Sequence, residues 1–72
     1  MKISLKTVNN AIKKLGGDST LYKGDGYFYF VHPVKNWDSG SVYVYKINDL
    51  ILEDWIKEYN IYVNDNKEKY DR

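Results

Sequence analysis

Apolar residues near the N-terminus recur at the spacing of an amphipathic helix. Leu5, Val8, Ile12 and Leu15 lie at offsets of 3, 7 and 10 residues along one stripe. Ser4 or Thr7 can cap the start of this helix, and Gly16 can end it in a left-handed conformation. The pattern therefore predicts a first helix that begins near Leu5 and ends before Gly16.

Three short segments after Gly17 are rich in β-branched and aromatic residues, as β-strands are. They cover residues 19–23, 27–31 and 41–46. The pair Asp25-Gly26 favours a tight primed turn, so the first two segments are predicted to form a hairpin. Pro33 has no amide proton for a sheet ladder and is expected to end the second strand.

A second amphipathic pattern follows the third strand. Leu52, Trp55, Ile56 and Tyr59 share one helical stripe, and Asn48 or Asp49 can cap its start. Beyond Asn60, residues 61–63 could extend the helix or dock against the sheet, whereas the segment NDNKEKYDR is polar and mixed in charge. We therefore expect one domain over residues 1–60 and a polar, frayed C-terminal tail over residues 61–72.

The predicted order of elements is α-β-β-β-α, which indicates an α+β fold. The expected architecture is a three-stranded antiparallel meander with two helices on one face. Side chains alternate between the faces of a strand, so Phe28 and Phe30 share one face with Val42 and Val44 of the third strand. These hydroxyl-free residues are predicted to meet the helices. The opposite face then carries tyrosines.

Length and composition narrow the classes of function. The chain has 72 residues and no cysteine, so neither disulfides nor a thiolate zinc site can hold the domain together. The net charge is only +1, although residues 1–17 contain four lysines and no acid. A balance this close to neutral is unlike that of a typical DNA-binding domain. No secretion signal or membrane-spanning stretch is evident, so a cytoplasmic protein with no membrane partner is expected.

Aromatic residues form the main candidate binding site. The predicted aromatic face comprises Tyr27, Tyr29, Tyr43, Tyr45 and the loop residue Trp37. Two interpretations remain open: a wet sheet face stabilised by cross-strand aromatic pairs, or a surface that also binds a partner. The second interpretation gives the functional hypothesis, a small non-catalytic protein that binds a protein partner.

A basic helix face provides the alternative hypothesis. Lys6, Asn10, Lys13 and Lys14 lie close together on the first helix at 100° per residue. A nucleic-acid-binding accessory protein could stack bases on the aromatic face and bind phosphates with this basic face. A homodimer is a further alternative. The second helix carries the acidic residues Glu53, Asp54 and Glu58, which could pair with the basic helix face of a second copy.

Catalytic and metal-binding chemistry finds little support in the sequence. His32 is the single histidine, so a Ser-His-Asp triad would need it together with Ser39 or Ser41 and an acid such as Asp38, and their closeness in sequence does not establish that geometry. The acidic C-terminal segment lacks the glycine and the spaced oxygen ligands of a calcium loop. No cofactor motif is present, so no enzyme activity, cofactor or metal site is expected.

The segments KTVNNAI, LYKGDGYFYFV and SVYVYKINDLILEDWIKE, with a tryptophan-containing loop before the last, give the chain a family likeness. Over residues 6–58 it resembles a group of small uncharacterised proteins carried by prophages, plasmids and other mobile elements. The order GYFYF, SVYVY and NDL-x4-W is the most specific part of this likeness. The resemblance implies one domain and a mobile-element setting, and it brings no known activity or active-site residue.

Overall fold

The structure is a computed structural model and describes residues 2–70. It contains α1 (Leu5–Lys14), β1 (Thr20–Lys23), β2 (Phe28–Val31), β3 (Gly40–Val42), a 3-10 helix (Ile47–Asp49) and α2 (Leu52–Tyr70). The three strands form one antiparallel sheet in the order β1-β2-β3. The predicted α+β fold and its α-β-β-β-α order are confirmed.

Helix α1 begins and ends with hydrogen bonds that its sequence supplies. The Ser4 hydroxyl accepts from the Thr7 N–H and the Thr7 hydroxyl accepts from the Ser4 N–H, both at 3.2 Å, so the two candidate caps act together as a capping box. At the other end Gly16 adopts a φ of 81°. The N–H groups of Gly16 and Gly17 then turn back to carbonyls of the last turn at 3.0 Å.

The hairpin lies where it was predicted, but its turn differs in type. The Gly24 N–H donates to the Tyr27 carbonyl at 2.8 Å and closes the turn. Gly26 has a φ of 81°, whereas Asp25 has no positive φ. A primed type I′ turn requires positive φ at both central residues, so this turn is not of that type.

Strand β3 is shorter than predicted. The expected strand covered residues 41–46, whereas β3 ends at Val42. The Val44 N–H donates to the Val42 carbonyl at 3.1 Å, which turns the chain out of the ladder. Side-chain alternation nevertheless persists, because Val42 is buried and Val44 packs against the core while Tyr43 is exposed.

The core lies between the sheet and both helices. Phe28 meets Trp55 edge-on, with ring centroids 5.2 Å apart, and Phe30 stacks on Tyr62 at 5.4 Å. Val8 and Ile12 of α1 belong to the same buried cluster: Ile3, Val8, Ile12, Leu21, Phe28, Phe30, Val42, Trp55, Tyr59 and Tyr62. The phenylalanine side of the sheet is therefore the covered side, as the alternation predicted.

Helix α2 corrects the prediction of a frayed tail. The helix runs to Tyr70, and only residues 71–72 of the expected tail lie outside the described residues. Its buried residues Trp55, Tyr59, Tyr62 and Asn66 form one stripe that continues past residue 60. Asn48 and Asp49, the expected caps, lie instead in the 3-10 helix before it. Although α2 has 19 residues, no helix within residues 2–70 is apolar enough to cross a membrane.

Three asparagine side chains join segments that are distant in sequence. Each amide accepts from one backbone N–H and donates to the carbonyl of that same residue. The pairs are Asn9 with Leu21 (2.7 and 3.1 Å), Asn48 with Ile3 (2.8 and 3.1 Å) and Asn66 with Asp38 (2.8 and 3.2 Å). The amides satisfy backbone groups that no strand of the described part of the chain reaches.

Candidate interaction surface

The outer side of the sheet carries uncharged side chains, most of which have a hydroxyl group. In the strand register Tyr22 lies opposite Tyr29, and Tyr29 lies opposite Ser41. Thr20 and Val31 form the next row. Tyr27 and Tyr43 lie towards the hairpin end. None of these seven side chains is charged.

Four tyrosines on this side form a continuous chain of ring contacts. The ring centroids of Tyr22 and Tyr29 are 5.6 Å apart, those of Tyr29 and Tyr27 are 5.8 Å apart, and those of Tyr27 and Tyr43 are 6.3 Å apart. These separations suit aromatic pairs. We call Tyr22, Tyr27, Tyr29 and Tyr43 the tyrosine face.

Local features fix the conformation of the tyrosine face. The ring of Tyr27 lies on Gly24, where a Cβ atom would be only 2.5 Å from the ring, so a side chain at this position would displace the ring. Tyr27 and Tyr29 are half-buried by their neighbours, whereas Tyr43 is 82% exposed. The face therefore combines ordered rings with open surface.

The predicted aromatic face is only partly one surface. Tyr27, Tyr29 and Tyr43 lie together, while Tyr45 is exposed beside Gly26 at the hairpin turn. Tyr22 belongs to the tyrosine face although it is not among the predicted site residues. The signal was its place in β1 next to Leu21, because a buried Leu21 turns Tyr22 outward.

Trp37 does not belong to the tyrosine face. Its ring lies 5.0 Å from that of His32 and 5.8 Å from that of Tyr62, which is a core residue. It therefore packs on the helix side of the sheet. Its indole Nε1 is buried and has no hydrogen-bond partner within residues 2–70. The sequence could not place Trp37, because a loop residue has no strand alternation to fix its side.

The basic helix face and the tyrosine face lie on opposite sides of the sheet. Lys6, Asn10, Lys13 and Lys14 are exposed on α1, whose buried residues Val8 and Ile12 face the core. The basic face consequently points away from the sheet layer. The two predicted surfaces do not form one site.

The loop after β2 contains titratable groups with structural partners. His32 accepts hydrogen bonds at Nδ1 from the backbone N–H groups of Val34 and Lys35, at 3.1 and 3.0 Å. The hydrogen bond from Lys69 at 2.6 Å, joined by one from Tyr70, lowers the pKa of Asp38. Within residues 2–70 no three potential metal ligands cluster together. These groups organise the loop.

Comparisons with family models, with curated proteins and with solved structures each gave no match. The resemblance to small proteins of mobile elements stays a prediction.

Proposed function

We propose that this protein is a non-catalytic binding protein and that the tyrosine face contacts a protein partner. The supporting observation is the continuity of four tyrosine rings on an uncharged sheet surface. Tyrosine is enriched at interface hot spots because its ring offers a large contact area and its hydroxyl can hydrogen-bond at the rim.

The rings of the tyrosine face are held in place by one another, which favours binding. A side chain that is already held by its neighbours loses little conformational entropy when a partner covers it. Tyr29 is held between Tyr22 and Tyr27, and Tyr43 extends the chain of rings into solvent. Ser41 and Thr20 add small hydroxyl groups to the same side. Tyrosine with serine is also the composition of many antibody binding surfaces.

Nucleic acid is the less favoured partner. Single-strand binding combines base stacking with phosphate contacts in one groove. Here the sheet separates Lys6, Lys13 and Lys14 from the tyrosine face. A protein partner needs no such cations. The resemblance to mobile-element proteins suggests that this partner is a host or phage protein.

Site-specific photo-cross-linking in the native host tests the proposal. A photoreactive phenylalanine at Tyr43 should give a discrete protein adduct, and adding Tyr22→Ser and Tyr29→Ser should remove it. The matched control places the same label at Tyr70, which is exposed on α2. Equal adducts from both positions would contradict the proposal.

Two measurements separate the alternatives. Circular dichroism must show that the Tyr22→Ser, Tyr29→Ser variant stays folded, since collapse would mean that the rings are structural. Anisotropy of a labelled single-stranded oligonucleotide at low and high salt tests the other partner class. Salt-sensitive binding that requires Tyr29 would favour nucleic acid.

A further inference from the structure

The two edges of the sheet differ in the hydrogen bonding of their backbone groups. On the β1 edge, the Asn9 amide accepts from the Leu21 N–H at 2.7 Å and donates to the Leu21 carbonyl at 3.1 Å. Helix α1 therefore closes that edge. The opposite edge is β3, and among the described residues no side chain binds its backbone in this way. An open strand edge is a template for a further strand.

The register identifies the backbone groups that β3 leaves open. Because Leu21 bonds to Asn9, Leu21 and its opposite residue Phe30 form the pair that exchanges no hydrogen bonds. The backbone groups of Phe30 therefore point towards β3, where Phe30 pairs with Gly40. Alternation then directs the N–H and C=O of Ser41 away from the sheet. Neither group has a partner within residues 2–70.

A groove of about 190 Å³ lies between this edge and α2. The core rings of Phe30 and Tyr62 line its inner part, and Ile61, which is 54% exposed, lines its outer part. The Tyr62 ring lies so close to Gly40 that a Cβ atom there would be 2.7 Å away. Helix α2 and strand β3 are therefore in contact. Side chains of a strand added beside β3 would lie over Ile61.

The negative charges along the groove favour a basic occupant. Glu58 and Asp65 lie about one turn before and after Ile61 on α2, and no basic residue among residues 2–70 lines the groove. Neither carboxylate forms an ion pair within residues 2–70. Lysine or arginine complements this wall. A second copy bound edge to edge would bring like carboxylates together, which disfavours that pairing.

We propose that β3 binds an extended peptide segment as a fourth strand, with one basic and one apolar side chain in the groove. The peptide residue opposite Ser41 exchanges backbone hydrogen bonds with it. The residues on either side of it point towards α2, so one meets Ile61 and the other meets Glu58 or Asp65. The edge is only three residues long, so we expect a dissociation constant of about 0.1 to 1 mM.

Peptide titrations of the ¹⁵N-labelled protein test this site. The probe is acetyl-Ser-Lys-Tyr-Ile-Ser-amide, whose Lys and Ile flank the central residue. We expect saturable shifts at the Ser41 amide and along residues 58–65. Methylation of the central peptide nitrogen removes one strand hydrogen bond, and Glu in place of Lys reverses the charge. Each change should weaken binding by about tenfold.

Variants of the protein provide the matching test. Ser41→Pro removes an N–H that has no partner among the described residues, and an edge strand tolerates proline. Glu58→Lys should also weaken binding, whereas Glu53→Lys makes the same charge change on α2 outside the groove and should not. Should Ser41→Pro unfold the domain, the peptide series remains decisive.

Three results would overturn the proposal. One is the absence of shifts at Ser41 up to about 2 mM peptide, which lies above the expected dissociation constant. Another is that the Glu peptide or the methylated peptide binds as tightly as the unmodified Lys peptide. The third is a concentration-dependent shift of Ser41 without peptide, since it would mean that a second copy of the chain occupies the edge.

Discussion

The two sides of the β-sheet use tyrosine in opposite ways. On the covered side Tyr62 is 4% exposed, its ring stacks on Phe30 at 5.4 Å and its hydroxyl accepts from Ser19 at 3.1 Å. On the outer side Tyr22 stacks on Tyr29 at 5.6 Å but remains 47% exposed. Ring distance is thus nearly the same on both sides. Burial and the partner of the hydroxyl make the difference.

This comparison separates rings that stabilise the domain from rings that are available to a partner. Removing a buried ring leaves a cavity among its neighbours, whereas solvent fills the space that an outer ring leaves. Exposed cross-strand aromatic pairs contribute about 0.2 to 1 kcal/mol each. The tyrosine face can therefore tolerate substitutions that the covered side cannot.

Alanine substitutions on the two sides give the largest expected contrast. Tyr62→Ala should lower the free energy of unfolding by about 3 to 5 kcal/mol, because a buried ring in contact with Phe30 is lost. Tyr43→Ala should lower it by about 0.5 kcal/mol or less. Urea denaturation of both variants measures the difference. Similar losses would break the comparison.

A smaller effect concerns the polar contacts beneath the covered side. The Asn66 amide donates to the carbonyls of Asp38 and Tyr62, at 3.2 and 2.9 Å. Asn66→Asp replaces that donor with a carboxylate oxygen facing two acceptors near the helix C-terminus. We expect a loss of about 2 to 4 kcal/mol in the free energy of unfolding.

Asn64→Asp is the matched control for this substitution, since Asn64 is exposed on the same helix and undergoes the same charge change. Thermal unfolding of the two variants at one pH measures the difference between them. Equal melting temperatures would mean that the charge, rather than the lost donor, destabilises the helix.

Asn66 also explains where sequence reasoning failed. The stripe Trp55, Tyr59, Tyr62 continues to Asn66, a polar residue that hydropathy assigns to solvent. Its burial depends on a loop backbone 28 residues away in sequence, at Asp38. Periodicity detects apolar faces but not such long-range polar contacts, so it predicts a tail where α2 continues.

The parts of the fold that were predictable depend on local signals. Ser4 and Thr7 cap α1 through hydrogen bonds three residues apart, and the alternation of Phe28 and Phe30 fixes the covered side. The candidate site was predictable where it follows strands, as at Tyr29. It was not predictable for Trp37, because loop packing on His32 and Tyr62 is set by tertiary structure.

The smallest expected effect concerns the hydroxyl groups of the covered tyrosines. Burial raises the pKa of Tyr59 and of Tyr62 above the ordinary value of 10.0. The unfolded chain therefore releases these protons first, so this contribution to stability is complete below pH 10.0 and is lost as pH rises through the folded pKa.

At neutral pH, Tyr62→Phe should cost about 1 kcal/mol through the lost Ser19 hydrogen bond. Above pH 10.0 its stability should fall less steeply than that of the parent, as urea titrations at several alkaline pH values would measure. An unchanged slope would mean that the Tyr62 hydroxyl reaches water in the folded state and that the two sides of the sheet differ less than their burial indicates.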